Sequence, residues 1–322
     1  MKLSQFLQLT DEELKTYEAI FLMKPGSNTE PNSEPMSNHI DSYIINTDLA
    51  TLIRIVVRYP EINAICESPQ FAGYWQDLWS QCGLKPAETQ HENKPTVHQY
   101  DPMPTVSCFT LLKGLYLYKG YQNVFAEITD WTPELRADAR EYLEMAAKFG
   151  CFFAINLLCE EGLKSLTSKP DKTIAVDILR LAQRAAALYW TPGYLLLATV
   201  YQEMSLHTED TLQLPGVQSK EALFSEALVS IYVAQKLEPF SEAMLNNAYQ
   251  GKTIAEATQG TIKSWFQAKV RLETYAGGLI NASTHLRADR KAVLIANKIK
   301  KTYLPQMAEK NEEKKEVNLS NA

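Results

Sequence analysis

The side chains best able to do covalent chemistry or bind a metal are few and scattered in this chain. Its five cysteines and five histidines form no CxxC or HExxH pattern, and neither GxxxxGK[ST] nor GxSxG is present. An odd number of scattered cysteines argues for reduced thiols rather than a disulfide framework or a zinc module. One pair stays open, because Cys108 lies near His98 in sequence and such partners can meet as nucleophile and base.

The remaining chemistry-bearing groups have structural explanations. Cys151 and Cys159 are expected to act as small buried apolar side chains. His91 and His98 lack the cysteine or carboxylate partners that a metal would need beside them. Adjacent acids such as Glu160 and Glu161 point apart on a helix and cannot form an acid/base pair across a substrate. We therefore predict no catalytic residue, no metal and no cofactor, and a protein that is not an enzyme.

Composition excludes other classes of protein. The 322 residues carry 32 Lys and Arg against 38 Asp and Glu, a net charge of −6, which argues against a basic nucleic-acid-binding surface. A hydrophobic content of 45% with 22% charged residues is typical of a soluble chain with a core. The sequence contains no unbroken apolar run near the roughly 18 residues of a membrane span. These features predict a cytoplasmic protein without a membrane segment.

Helices must position whatever site exists, because apolar residues recur every three or four positions rather than every two. Thr10 and Glu13 form a capping-box pattern at the start of a helix. Leu52 to Val57 is rich enough in β-branched residues to be a strand, but the Thr47-Asp48 cap before it favours a helix. The predicted fold class is all-α.

Prolines divide the chain. Nine of the fifteen lie between Pro25 and Pro104, and the segments 24–39 and 85–104 have the composition of linkers. Later breaks predict antiparallel helix pairs; they fall at Thr132-Pro133, Lys169-Pro170, Thr191-Pro192, Leu214-Pro215-Gly216 and Pro239. The cations Lys298, Lys300 and Lys301 are expected to end the last helix.

An internal repeat occupies the second half. Ala146-Ala147, Ala154 and Leu158 recur 39 positions later as Ala185-Ala186, Gly193 and Leu197. Small residues at these positions would let two helices approach closely, so that each hairpin buries its face against the next. A third unit is predicted to turn at Leu237-Glu238-Pro239.

These segments resemble the Sel1-like and tetratricopeptide families, with 142–162 and 180–201 similar to Sel1 units and 233–249 to a tetratricopeptide turn. The alternative is an unrelated helical bundle. The resemblance implies a surface that binds peptides or partner domains. Four aromatic residues are candidates for that repeat surface, and the alternative is that they fill the core: Tyr189, Trp190, Tyr194 and Tyr201.

The first segment resembles an F-box. The motif residues are Leu9 to Leu14 with Tyr17 and Phe21, and then Asp48-Leu49, Leu52, Val56, Arg58-Tyr59, Ser68-Pro69, Trp75 and Leu78-Trp79. The resemblance implies docking on an Skp1-type adaptor of a ubiquitin ligase, whereas the alternative is that these residues are the core of a small bundle. The predicted adaptor-binding residues are Leu9, Leu14, Tyr17, Phe21, Leu49, Leu52, Trp75 and Trp79. The sequence departs from the F-box pattern at Thr10, at Glu13 and in the insertion between Lys24 and Asn46.

The tail from Ala308 carries Glu309, Glu312, Glu313 and Glu316. It resembles the glutamate-rich C-terminal signals of effectors that intracellular bacteria secrete through type IV systems, and this implies delivery into a host cell. The alternative is a solvated, disordered tail without a signal.

These observations predict a two-part protein. The expected organisation is an F-box-like module at 1–84 with a flexible insertion at 24–46, a linker at 85–104, a Sel1/tetratricopeptide-like domain at 105–304 and a disordered acidic tail at 305–322. Its predicted function is that of a protein-binding adaptor. Two alternatives stay open: a plain helical-repeat scaffold without a ubiquitin link, and an enzyme with a Cys-His site assembled in space.

Overall fold

The computed structural model describes residues 1–21, 36–81, 107–168, 171–207, 219–248 and 254–320. Every regular element in these ranges is a helix, which confirms the all-α class. The helices group into two compact units, one made of Met1–Cys82 with Ser107–Cys151 and the other containing Phe152 onward.

Unit 1 is the N-terminal group of helices. They are α1 (Leu3–Phe6), α2 (Asp11–Phe21), α3 (Met36–Asn46), α4 (Leu49–Arg58), α5 (Asn63–Cys66), α6 (Ala72–Gln81), α7 (Cys108–Phe125) and α8 (Pro133–Lys148). Helix α7 packs against α4, α6 and α8. It brings a continuous apolar surface to the core, since Phe109, Leu111, Leu112, Leu115 and Leu117 are all buried.

Unit 2 is a stack of longer helices. They are α9 (Phe152–Ser168), α10 (Lys172–Leu188), α11 (Thr191–His207), α12 (Lys220–Ala248), α13 (Ile254–Ala276) and α14 (Ala282–Ser320). Each helix from α9 to α12 packs on the next, and α9 also contacts α11. Helix α11 also contacts α13, and α14 packs on α12. This is the solenoid-like arrangement of hairpins that the repeat predicts.

Two predicted helix starts and one predicted break are confirmed. The Thr10 hydroxyl accepts from the backbone N–H of Glu13 at 3.2 Å, and a Glu13 carboxylate oxygen accepts from the Thr10 N–H at 2.7 Å. Asp48 caps α4 by accepting from the Thr51 N–H at 2.9 Å, so Leu52 to Val57 is a helix. Thr132 caps α8, with Pro133 at the first helical position.

The small repeat residues allow close helix approach, as predicted. Gly193 of α11 lies against the backbone of α10, where a Cβ atom would come within 2.6 Å of the Ala185 carbonyl carbon and 2.8 Å of Ala186 Cα. In unit 1, a Cβ atom on Gly114 would lie 2.9 Å from the Ala146 carbonyl oxygen. Both alanine pairs of the repeat are buried.

Two predicted breaks are wrong. Helix α12 runs through Pro239 to Ala248, so no hairpin turn forms there. An interior proline costs a helix about 3 kcal/mol, and α12 as a whole is supported by its contacts with α11, α13 and α14. Helix α14 likewise continues to Ser320, so Lys298, Lys300 and Lys301 lie inside it rather than at its end.

The segments predicted to be flexible differ from the structure in two places. Residues 36–46 form α3, which is anchored by the buried Ile44, by Tyr74 Oη donating to the Ile45 carbonyl at 3.1 Å and by Gln70 donating to Asp41 at 2.9 Å. Residues 305–320 are helical rather than disordered, since Glu and Lys are good helix formers. Residues 24–35 and 85–104, and the predicted breaks at 169–170 and 214–216, lie outside the described residues.

The grouping of α7 and α8 also differs from the predicted organisation. The sequence assigned residues 107–151 to the repeat domain, whereas in the structure they belong to the same compact unit as 1–82. The contacts that hold them there include Trp75 against Phe109, with ring centroids 4.6 Å apart. The first predicted Sel1 unit, 142–162, therefore spans the division between Cys151 and Phe152.

Candidate functional site

Most of the predicted adaptor-binding residues lie in the core of unit 1. Leu9, Tyr17, Leu52, Trp75 and Trp79 are buried. Leu14 and Leu49 are half-buried, and the side chain of Phe21 is outside the described residues. The structure therefore places these residues where the core alternative predicted, and leaves little of the F-box-like pattern on the surface.

The contacts of these residues explain their burial. The ring of Tyr17 stacks on that of Tyr59, with centroids 4.2 Å apart. Trp75 donates its indole N–H to the Cys66 carbonyl at 2.6 Å while its ring packs on Phe109. A buried indole needs such a partner, so these interactions fix the helices of unit 1 to one another.

A polar network that the sequence did not predict joins α2 to α4. The Glu13 carboxylate accepts from the Arg54 guanidinium, and from the Thr51 hydroxyl at 2.8 Å. Burial by itself raises the pKa of Glu13, but the hydrogen bonds from Thr10, Thr51 and Arg54 together hold it at about 2. Glu13 is one of the residues at which the sequence departs from the F-box pattern, and in the structure it anchors α2 to α4.

We expect acid to weaken unit 1 through Glu13. Its pKa is about 2 in the folded state against the ordinary value of 4.5 for a glutamate, so its stabilising contribution is present above pH 4.5 and is lost as the pH falls toward 2. Allowing for solvent screening, Glu13→Gln should cost about 1 to 2 kcal/mol near neutral pH. Urea unfolding of both proteins at about pH 7 and about pH 3 should show this difference shrinking in acid. A difference that does not change with pH would contradict the assignment.

Lys113 is a second buried polar group in unit 1. It is only 3% exposed, yet its Nζ donates to Asn63 Oδ1 and lies 3.6 Å from a Glu67 carboxylate oxygen. The ring centroids of Phe109 and Phe149 lie 4.9 and 5.0 Å from Nζ, within the range of cation–π interactions. Burial lowers the pKa of Lys113, and Glu67 opposes that shift. The network ties α5 and the residue after it to α7.

The burial predicted for two of the cysteines is confirmed. Cys151 and Cys159 are buried, as expected of small apolar side chains. Burial raises the pKa of Cys66 and of Cys159 to about 12, which keeps both as neutral thiols. Cys108 is half-buried, but His98 lies outside the described residues, so the alternative of a Cys108–His98 pair is not tested.

The described residues also bear on metal binding and on membrane insertion. The described residues contain no group of three or more His, Cys, Asp or Glu side chains placed to hold a metal ion. Within the same ranges, no helix combines the length and hydropathy that a membrane span requires.

The predicted repeat surface is largely interior. Tyr189, Trp190 and Tyr201 are buried and Tyr194 is half-buried. The ring of Tyr189 meets that of Phe152 edge to face at 5.4 Å. Burial raises the pKa of Tyr201. The burial of these aromatic residues agrees with the core alternative.

The exposed apolar side chains of unit 2 lie instead on α13 and α14. Phe266 is 56% exposed and Val270 is 46% exposed, and their four-residue spacing places them on one face of α13. Leu286 and Leu294 of α14 are 52% and 72% exposed. Isolated exposed apolar residues are common, but pairs on a single helix face mark candidate binding surfaces.

Polar contacts fix these two helices to the rest of unit 2. Tyr232 of α12 is hydrogen bonded to Nδ1 of His285 at 2.8 Å, and Nε2 of His285 lies 3.5 Å from Glu273 of α13. Arg271 of α13 reaches Glu203 of α11 at 2.6 Å. The exposed faces of α13 and α14 are therefore held on a connected scaffold.

Sequence reasoning missed these faces because they follow the same three-to-four spacing as the core. The signal available was the position of the apolar residues relative to the buried alanines Ala276, Ala288, Ala292 and Ala296. Phe266, Val270 and Leu294 fall outside the rows that these alanines define. An exposed leucine can be told from a buried one only when the helix face that packs against neighbouring helices is known.

Solved structures of other proteins share this fold. An uncharacterised protein, lpg1670, has a TM-score of 0.62 and 22% identity over 90% of this chain and 99% of its own. MesI (Lpg2505) from Legionella pneumophila has a TM-score of 0.56 and 16% identity over 88% and 94%. A second structure of Lpg2505, described as a Legionella pneumophila effector, has a TM-score of 0.57 and 17% identity over 90% and 96%.

The sequence itself matches one family model over part of its length. No curated protein sequence matches the chain at a significant level. Residues 40–272, which extend from α3 to α13, match a family of unknown function, DUF5630. The chain therefore belongs to the DUF5630 family.

Proposed function

We propose that this protein is a secreted bacterial effector that acts by binding another protein, without a catalytic step of its own. The observation that carries the proposal is the exposed pair Phe266 and Val270 on α13. Aromatic and apolar side chains that become buried at the centre of an interface supply most of its binding energy. A helix face held on packed neighbours also loses little conformational entropy on binding.

The architecture supports this use of α13. Stacked hairpins bury their alanine rows against one another, so the outer side chains of unit 2 are available to a partner without unfolding. The stacked hairpins also support the Sel1-like part of the resemblance, and families of that kind bind peptides and partner domains.

Two observations support the effector part. One structure that shares the fold is described as a Legionella pneumophila effector. The chain itself carries the glutamates of an effector-like tail at 309, 312, 313 and 316. Together they favour delivery into a host cell as the route by which this protein meets its partner.

An Skp1-type adaptor is one candidate partner, on the strength of the F-box resemblance alone. Docking through Tyr17, Leu52 or Trp75 would require unit 1 to open, because these side chains are buried. We therefore place the binding surface on α13 and keep the ubiquitin-ligase link as a separate proposal.

One experiment tests delivery and binding together. The tagged chain is expressed in a bacterium with a working type IV system, and protein captured from the host-cell lysate is identified by mass spectrometry. We expect the chain to reach the host cytosol and to retain a host protein. Replacing Phe266 and Val270 by serine should reduce that retention at least about tenfold, because the anchors of the interface are removed.

The matched control is Gln267→Ser, an exposed residue of the same helix. Equal recovery with the control and with the double variant would contradict the α13 surface. A chain that reaches the host equally well from a secretion-defective strain, or not at all, would contradict the effector part. Probing the same eluate for an Skp1-type adaptor tests that partner, and recovery at background level would remove it.

A further inference from the structure

The outer face of α14 combines leucines with cations over four helical turns. Its members point away from the buried row Ala288, Ala292 and Ala296. They are Leu286, Arg287, Arg290, Leu294, Asn297, Lys298 and Lys301. We call this set the basic leucine face. Its last four members and Thr302 line a shallow depression, and Leu294 is 72% exposed.

The charges of this face are all of one sign. The nearby carboxylates are engaged on the inner side of α14, where Asp289 pairs with Lys236 of α12 at 2.7 Å and Glu226 of α12 pairs with Lys291 at 2.5 Å. Within the described residues, no carboxylate pairs with Arg290, Lys298 or Lys301. The chain as a whole has a net charge of −6, so this face runs against its overall charge.

We propose that the basic leucine face binds an acidic amphipathic helix of a partner protein. The inference rests on the proposed protein-binding function and names a second surface together with the chemistry of its ligand. Leu286 and Leu294 lie two turns apart and can interdigitate with apolar side chains spaced three and four apart on the partner. The flanking cations pair with carboxylates along the edges of that helix, which sets its register and speeds encounter.

Two other ligands fit the face less well. A helix that lies in a membrane interface needs a broad apolar side, whereas here Arg290 and Asn297 interrupt the two leucines. Nucleic-acid phosphates would engage the cations but would leave Leu294 unpaired at the centre of the contact. A protein helix satisfies the apolar and the charged groups at once.

The test uses the full chain and a labelled synthetic peptide. The peptide is a helix of about five turns with leucines three and four apart and glutamates beside them, and fluorescence anisotropy follows its binding. We expect saturable binding that weakens at high salt. Arg290→Glu with Lys298→Glu should weaken it at least about tenfold, and Leu294→Ser should weaken it by about the same factor.

The matched control is Lys164→Glu with Lys172→Glu, which makes the same charge change at exposed positions of α9 and α10. A scrambled peptide of the same composition tests whether the leucine spacing matters. Thermal unfolding of each variant checks that the substitutions leave the fold intact. All substitutions avoid Phe266 and Val270, so failure here is distinguishable from failure of the proposed function.

Each outcome decides the proposal. Binding of the ordered peptide that is lost with the α14 variants and kept with the control supports it. Equal loss with the control, or equal binding of the scrambled peptide, overturns it. Absence of peptide binding also overturns it, as does α14-dependent binding to phosphatidylserine vesicles, to single-stranded RNA or to a second copy of this chain in place of the peptide.

Discussion

Replacing Gly193 by alanine should destabilise unit 2 by about 3 kcal/mol. Gly193 lies where α11 begins, against the end of α10, and the new Cβ atom would come within 2.6 Å of the Ala185 carbonyl carbon and 2.8 Å of Ala186 Cα. These are backbone atoms, which cannot rotate away as a flexible side chain can. The two helices would have to separate, and the alanines buried between them would lose their close packing.

The matched control for this substitution is Gly278→Ala in the same unit. No atom lies within 4 Å of a Cβ atom built on Gly278. We expect its unfolding free energy to stay within about 0.5 kcal/mol of the parent protein. Urea unfolding followed by circular dichroism measures both. Equal midpoints for the two variants would show that the hairpins do not depend on the close approach at Gly193.

In the Lys113 network, removing the counter-charge should destabilise the protein more than removing the buried charge itself. Glu67→Gln removes the counter-charge of a buried ammonium but keeps the shape of the side chain, and we expect a cost of about 2 kcal/mol. Lys113→Met removes the buried charge itself at similar volume and should cost less than about 1.5 kcal/mol. In the presence of Lys113→Met, the Glu67→Gln substitution should cost little.

The pH dependence follows from the lowered pKa of Lys113. Burial holds this pKa below the ordinary lysine value of 10.5 in the folded state, and removing Glu67 should lower it further. The desolvation penalty of the charged form is then present at neutral pH and is relieved as the pH rises through the folded pKa toward 10.5. Glu67→Gln should therefore recover stability in alkali relative to the parent.

A double-mutant cycle measured by urea unfolding checks this account. If Lys113→Met destabilised the protein more than Glu67→Gln, the buried ammonium would be a net stabilising group. The network would then have to be explained by favourable cation–π and hydrogen-bond energy that exceeds the cost of burial.

Local patterns predicted the parts of the fold that depend on neighbours in sequence. The caps at Thr10 and Asp48 need only a few residues to form, and each was visible as a motif. The small residue Gly193 was also visible, because a 39-residue period aligned it with Ala154. Such features are local or periodic and do not require knowledge of which elements meet.

Features that depend on distant contacts were not predictable in the same way. A proline usually ends a helix, but α12 continues through Pro239 and contacts α11, α13 and α14, which are not its neighbours in any local sequence pattern. The F-box-like and aromatic candidates have the right residue types, yet Trp75 and Tyr189 are buried by partners that sequence spacing does not reveal. The same limit hid the Glu13–Arg54 pair, whose members are distant in sequence.

The exposed apolar residues of α13 and α14 were not predictable from the sequence either, because their exposure depends on contacts between distant elements. Phe266 and Leu294 differ from buried residues only in their angular position on a helix, and that position has meaning only once the packed row is known. Exposure is a property of the assembled unit.

The most direct measurement of the central claim is site-specific photo-crosslinking in host cells. A photoreactive phenylalanine analogue is placed at position 266 and, as the control, at position 267 of the full chain. If α13 binds a host protein, light should produce one discrete crosslinked species from position 266 and little from position 267. The same species from both positions, or none from position 266, would contradict the account.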